Sequence, residues 1–126
     1  EIMQGNSRLS GADAEQLARD YLNQQGLTFV AKNFRTSRGE IDLIMRDNET
    51  LVFVEVRFRH SSHFGSAEES ITQQKCQRLT AAALAYMQCQ KLTNKVGARF
   101  DAVAISPASR QSEAGYRVNW IKNILQ

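Results

Sequence analysis

Apolar residues recur along the chain with two different periods, and each change of period marks an element. Ala14, Leu17, Ala18, Tyr21 and Leu22 fall at helical spacing behind Ser10 and Asp13, which resemble a capping signal, and Gly26 supplies the stop. The spacing predicts a helix over about Gly11–Gln25. Leu27–Arg35 mixes β-branched and aromatic residues and reads as a strand. Ile41, Leu43 and Met45 then alternate with Glu40, Asp42 and Ile44 in a second strand, which the polar run Asp47-Asn48-Glu49 ends as a hairpin turn. The return strand, Leu51–Arg59, is the most β-like stretch of the chain. Its alternation puts Leu51, Phe53, Glu55 and Arg57 on one face and Val52, Val54, Val56 and Phe58 on the other.

Residues 60–70 follow neither period and are rich in small polar side chains, so they are expected to form a mobile loop carrying His60 and His63. A second helix is predicted over about Thr72–Gln90, with Cys76, Leu79, Ala82, Ala83, Tyr86 and Met87 as its buried stripe. Arg99–Ser106 and Tyr116–Ile121 read as two further strands, Pro107 as part of a surface turn, and the tail as one helical turn. The order is helix, three-strand meander, helix and two strands. It predicts an α/β fold with a mixed central sheet flanked by helices, because a crossover through the second helix makes the fourth strand parallel to a neighbour.

With 126 residues, 42% of them hydrophobic, the chain suits one domain over residues 1–126, with residues 1–8 as a flexible start. No apolar run approaches the roughly 20 residues of a membrane-spanning helix, and the start does not read as a signal peptide. A cytoplasmic location without membrane contact is expected. Cys76 and Cys89 fall in one predicted helix, roughly 20 Å apart along its axis, which excludes a disulfide between them and a shared thiolate metal site. The formal net charge of +3 permits a nucleic-acid or phosphate partner without requiring one.

Candidate chemistry centres on the third strand. Glu55 and Arg57 interrupt its apolar pattern, and a carboxylate placed there costs several kcal/mol unless a cation or several donors meet it. Across the hairpin Asp42 interrupts the second strand, and neighbouring strands lie only about 4.8 Å apart. Asp42 and Glu55 converge if their faces match, and two carboxylates so close share a proton or bind a hard cation such as Mg²⁺ or Mn²⁺. A structural ion pair, Glu55 answered by Arg57 or another arginine, stays open as the alternative. Asp101 is expected to pair with an arginine, either Arg57 or Arg99 of a neighbouring molecule.

Gly39-Glu40-Ile41-Asp42-Leu43-Ile44, Val52-Phe53-Val54-Glu55-Val56-Arg57-Phe58-Arg59, Lys75, and Arg99-Phe100-Asp101 stand in an order and spacing that resemble the YraN family of uncharacterised bacterial proteins. The likeness runs from about Leu9 to Leu125. That family is similar in turn to the restriction-endonuclease-like superfamily and, within it, to Holliday junction resolvases. The resemblance implies a metal-dependent nuclease acting on DNA, branched DNA included, and working as a homodimer. It makes Asp42, Glu55 and the Val56 carbonyl ligands to Mg²⁺ or Mn²⁺, with Glu15 on the first helix as an additional acid. Arg57 stands where the superfamily carries its catalytic lysine. Arginine stays protonated and cannot act as a base, though its planar fork can clamp a phosphate; Lys75 is the candidate substitute. Arg35, Arg38, Arg59 and Arg78 are candidate nucleic-acid contacts, with Arg46 and Arg99 also among the cations near the motif in sequence. Gln73 and Gln74 are weaker candidates at the helix start. Two further readings compete: a non-catalytic nucleic-acid-binding module with a degenerate nuclease site, for which Arg57 speaks, and a protein-interaction domain whose acids are internal ion pairs.

Overall fold

The computed structural model describes residues 11–58, 72–107 and 115–125. Its elements are α1 (Gly11–Gln24), β1 (Thr28–Arg35), β2 (Glu40–Asp47), β3 (Thr50–Phe58), α2 (Gln73–Cys89), β4 (Gly97–Pro107) and β5 (Tyr116–Ile121). The strands form one sheet in chain order, β1 to β5. Every neighbouring pair is antiparallel except β3 and β4, which the crossover through α2 makes parallel. The mixed α/β layout is the one the periodicity predicts. Arg59, His60 and His63, the rest of the 60–70 loop, and the 1–8 start lie outside the described residues.

The alternation along β3 builds a core on each side of the sheet. Val52 and Val54 pack with Val103, Ile105 and the small α1 residues Ala14 and Ala18, whose short side chains let the helix sit close to the strands. Phe53 and Leu51 face the other way, against Leu79, Ala82, Ala83 and Tyr86 of α2. Phe53 is fully buried and meets the rings of Tyr86 and Phe100. Removing a core aromatic of this kind costs about 3–5 kcal/mol. Gly26, at φ +101°, turns the chain out of α1 in a conformation that other residues adopt only with strain.

Three expectations are corrected. Cys76 is only half-buried and faces the outside of α2; the buried stripe consists of Leu79, Ala82, Ala83, Tyr86 and Met87. The tail forms no helical turn. Asn123 takes φ +58°, its N–H donates to Asp101, and the Ile124 N–H donates to the Phe100 carbonyl at 2.7 Å, so partners on β4 replace those of a helix. Asp101 pairs with Arg99 of its own strand, two residues away and therefore on the same face. Arg57 belongs to the opposite face of the sheet and cannot reach it.

Candidate active site

The pairing of β2 with β3 runs from Asp47↔Thr50 to Leu43↔Val54 and stops there. One step further along the two strands stand Asp42 and Glu55. The sheet opens at that step, and the Val56 N–H, left without a strand partner, donates to Asp42 Oδ2 at 2.8 Å. Because the N–H and C=O of a residue in an extended strand point to the same edge, the Val56 carbonyl faces the same opening.

Glu55 lies on the α2 side of β3 and is only 5% exposed. Lys75 Nζ sits 3.0 Å from its Oε2, and an Arg57 guanidinium nitrogen is 3.4 Å from the same oxygen. Lys75 is held there by the start of its helix: the Thr72 hydroxyl accepts the Lys75 backbone N–H and caps α2. Among the described residues no cation forms a salt bridge with Asp42, and its carboxyl is pushed up from 3.8 to about 7. Burial is the main cause and the negative charge of Glu55 comes next; the Val56 N–H pulls the other way, while Glu15 and Glu40 raise it further. Asp42 is therefore only partly ionised near pH 7, and a cation bound there would compete with its proton.

The two acids line a cavity of about 510 Å³ together with Arg35, Arg38, Arg57, Lys75 and Arg78. Arg38 reaches it from the β1–β2 turn. The Thr36 hydroxyl accepts the backbone N–H groups of Arg38 and Gly39, each at 3.1 Å, and the Thr36 N–H donates to the Gly39 carbonyl at 2.8 Å. At Gly39 the turn rests directly on α2, where a Cβ would overlap the Arg78 carbonyl, so only glycine allows this approach. Exposed Arg35 pairs with exposed Glu40 at 3.3 Å, a contact that solvent screens.

The structure thus brings together Asp42, Glu55, Val56, Arg57, Lys75, Arg35, Arg38 and Arg78. Glu15 approaches from α1, close enough for its charge to act on Asp42. With the Asn33 amide oriented nitrogen-first, it donates to both Glu15 oxygens, at 3.1 and 3.2 Å. Asn33 holds φ +54° within β1 to do so. The periodicity of β1 hides this residue, and an asparagine inside a β-rich run is its only sequence signal. Arg99 is not part of the site: its guanidinium is taken up by Asp47 and Asp101. Arg46 pairs with Leu51 near the hairpin turn, away from the opening. Gln73 lines a neighbouring groove and Gln74 lines neither cavity.

Among the described residues no three His, Cys, Asp or Glu side chains form a metal-sized group. A cation here would rest on two carboxylates, a backbone carbonyl and water, all hard oxygen donors, which is the donor set Mg²⁺ accepts. The residues present fit that ion. Also among the described residues, no helix is long and apolar enough to cross a membrane.

Comparison with known proteins agrees over nearly the whole chain. A UPF0102 protein of Aliivibrio fischeri is 44% identical over 121 residues, 95% of this chain and 94% of the relative. Relatives from Coxiella burnetii and Pseudomonas fluorescens, also UPF0102 proteins, are 46% identical over 116 residues and 43% over 122. The profile of the uncharacterised protein family UPF0102 matches residues 14–105, a span that contains Asp42, Glu55 and Lys75, and the chain belongs to that family.

Proposed function

We propose that this protein is a cytoplasmic, divalent-metal-dependent phosphodiesterase acting on DNA. The observation that carries the reading is the Asp42–Glu55 pair at the point where β2 and β3 separate, with the Asp42 carboxyl pushed up first by burial and then by the charge of Glu55, in a cavity that arginines and a lysine also line. Mg²⁺ or Mn²⁺, when bound, supplies charge neutralisation at the phosphate and lowers the pKa of water. Asp42, Glu55 and the Val56 carbonyl would hold it. Arg57, Arg38 and Arg78 bind the phosphate oxygens; the planar fork of Arg57 opposes the charge that grows on them in the transition state. Arg57 cannot take a proton. Lys75 Nζ, already 3.0 Å from Glu55, is the group placed to hold or deliver one.

One observation favours a second reading, a nucleic-acid-binding module that does not cut. The contacts of Lys75 and Arg57 with Glu55 are those of a closed ion-pair cluster, in which the acids need no metal. Labelled branched and linear DNA incubated with Mg²⁺ or Mn²⁺ separates the two. Metal-dependent cleavage by the wild type, abolished in Asp42→Ala, is the expected result. Salt-sensitive binding that survives Asp42→Ala, with no turnover by either protein, supports the module instead.

A further inference from the structure

The Thr36–Arg38 turn has a second side. Beyond it lies a groove of about 970 Å³, and Thr36, Ser37 and Arg38 line both this groove and the carboxylate cavity. Its long wall is the outward face of α2, where Gln77, Ala81, Leu84 and Gln88 recur at helical spacing; Ile124 and Leu125 of the tail also line it. Leu84 is 58% exposed, the largest value for a big apolar side chain among the described residues. The chemistry differs from that of the carboxylate cavity. Among the described residues no carboxylate lines the groove and Arg38 is its only charged side chain; the other polar groups are glutamine amides, hydroxyls and a thiol.

A strip of Ala81, Leu84 and Ala85 bordered by the amides of Gln73, Gln77 and Gln88 suits a flat, uncharged group with an apolar face and an edge of donors and acceptors. A nucleobase is such a group, and unpaired bases are recognised by apolar face contact together with hydrogen bonds to their edges. Continuity with the cavity decides among occupants. Base and phosphate of one nucleotide are covalently linked, and here a phosphate-binding arginine stands in the wall shared by the two spaces. The wall is fixed by the Thr36 hydrogen bonds and by the seating of Gly39 on α2, so the two spaces keep a set separation.

We infer that the α2 groove takes an unpaired nucleobase adjacent to the phosphate bound at the carboxylate cavity. This rests on the phosphodiesterase reading and narrows its substrate to nucleic acid with a single-stranded or extruded nucleotide at the point of attack. Gln77 and Gln88 read the base edge, and Ala81 and Leu84 carry its face.

The test is an amide-shift titration of the ¹⁵N-labelled full chain with the 5′-phosphorylated thymidine dinucleotide in EDTA, and with thymidine alone. Expected are shifts at Gln77, Ala81, Leu84 and Ala85 with both ligands, and at Val56 and Arg57, which line the carboxylate cavity alone, with the dinucleotide only. Ala81→Phe, which fills the groove, and Leu84→Glu, which adds a repelling charge at an exposed site, should each weaken dinucleotide binding about tenfold. Asp42→Asn should leave the α2 shifts in place. Shifts confined to Val56 and Arg57 would overturn the base groove and leave the phosphate reading standing. Shifts on α2 alone would keep the groove and remove the phosphate reading, and no shifts at all would remove both. Shifts on α2 that follow protein concentration without nucleotide would assign the groove to a second copy of the chain and overturn the inference.

Discussion

Glu55 and Asp101 are the two buried acids among the described residues, and they stand almost side by side: Glu55 is registered against Ala102, and Asp101 against Val54. Their surroundings differ in kind. Asp101, on the α1 side, accepts from the Arg99 Nε at 3.2 Å, the Trp120 indole N–H at 2.9 Å and the Asn123 backbone N–H at 3.0 Å. Arg99 in turn reaches Asp47 at 2.9 Å, so one carboxylate ties β2, β4, β5 and the tail together. Burial works against the Arg99 charge, but Asp47 and Asp101 outweigh it and the guanidinium pKa rises. On the other side of the sheet Glu55 meets the side chains of Lys75 and Arg57 and a second carboxyl whose pKa its own charge helps to raise. Fixed donors saturate an acid and make it structural. Asp42, with one backbone donor and a like charge beside it, is instead destabilised in its charged form, the pattern that marks a candidate functional site.

Breaking the saturated cluster should produce the largest effect. Asp101→Ala leaves the Arg99 Nε, the Trp120 indole N–H and the Asn123 N–H without their acceptor, with Asp47 as the remaining acid on Arg99, and should lower the unfolding free energy by about 3–5 kcal/mol. Asp42→Asn, which removes a charge from an unsaturated pair, should be neutral or stabilising. Urea denaturation of both variants makes the comparison directly, and equal losses would erase the distinction between the two sites.

A pH series sharpens it. The folded-state pKa of Asp42, about 7, lies above its ordinary 3.8, so the folded chain binds this proton more tightly than the unfolded chain. The group's contribution is most favourable below about pH 4 and is lost as pH rises through about 7, a change on the order of a few kcal/mol. The stability difference between wild type and Asp42→Asn, measured by denaturation at about pH 5 and about pH 8, should shift in favour of the variant at the higher pH. A constant difference would contradict the assigned shift.

A smaller effect is expected at the helix. Lys75→Met removes the ammonium that competes with a metal for Glu55, so Mn²⁺ affinity should rise about two- to fivefold while cleavage falls by about one to two orders of magnitude. Metal titration and turnover on the same protein check both halves. Weaker metal binding together with lower turnover would place Lys75 as a support of the site and not as a competitor.

Much of this contrast was legible before the fold was known. Asp42 and Glu55 stand out because period-2 patterning exposes any charge that falls on an apolar strand, while the sequence leaves open whether their faces match, which the β2–β3 register decides. Lys75 was reachable through helical spacing and resemblance. What stayed hidden depended on partners distant in sequence. Asp101 needed Trp120 and Asn123, the tail needed the Phe100 carbonyl, and the outward turn of Cys76 depended on where α2 meets the sheet. Asn33 was hidden for another reason: its left-handed backbone and its bond to Glu15 occur where the β1 register shifts nearby, which period alone does not signal.

Whether Asp42 and Glu55 hold a divalent cation is decided by calorimetric titration of Mn²⁺ into the wild type and the Asp42→Ala, Glu55→Ala double variant, at a pH above 7 and with DNA present. Binding to the wild type that disappears in the double variant is expected. No binding to the wild type, or equal binding to both proteins, would contradict the cation site and make the pair an internal ion-pair cluster like the one around Asp101.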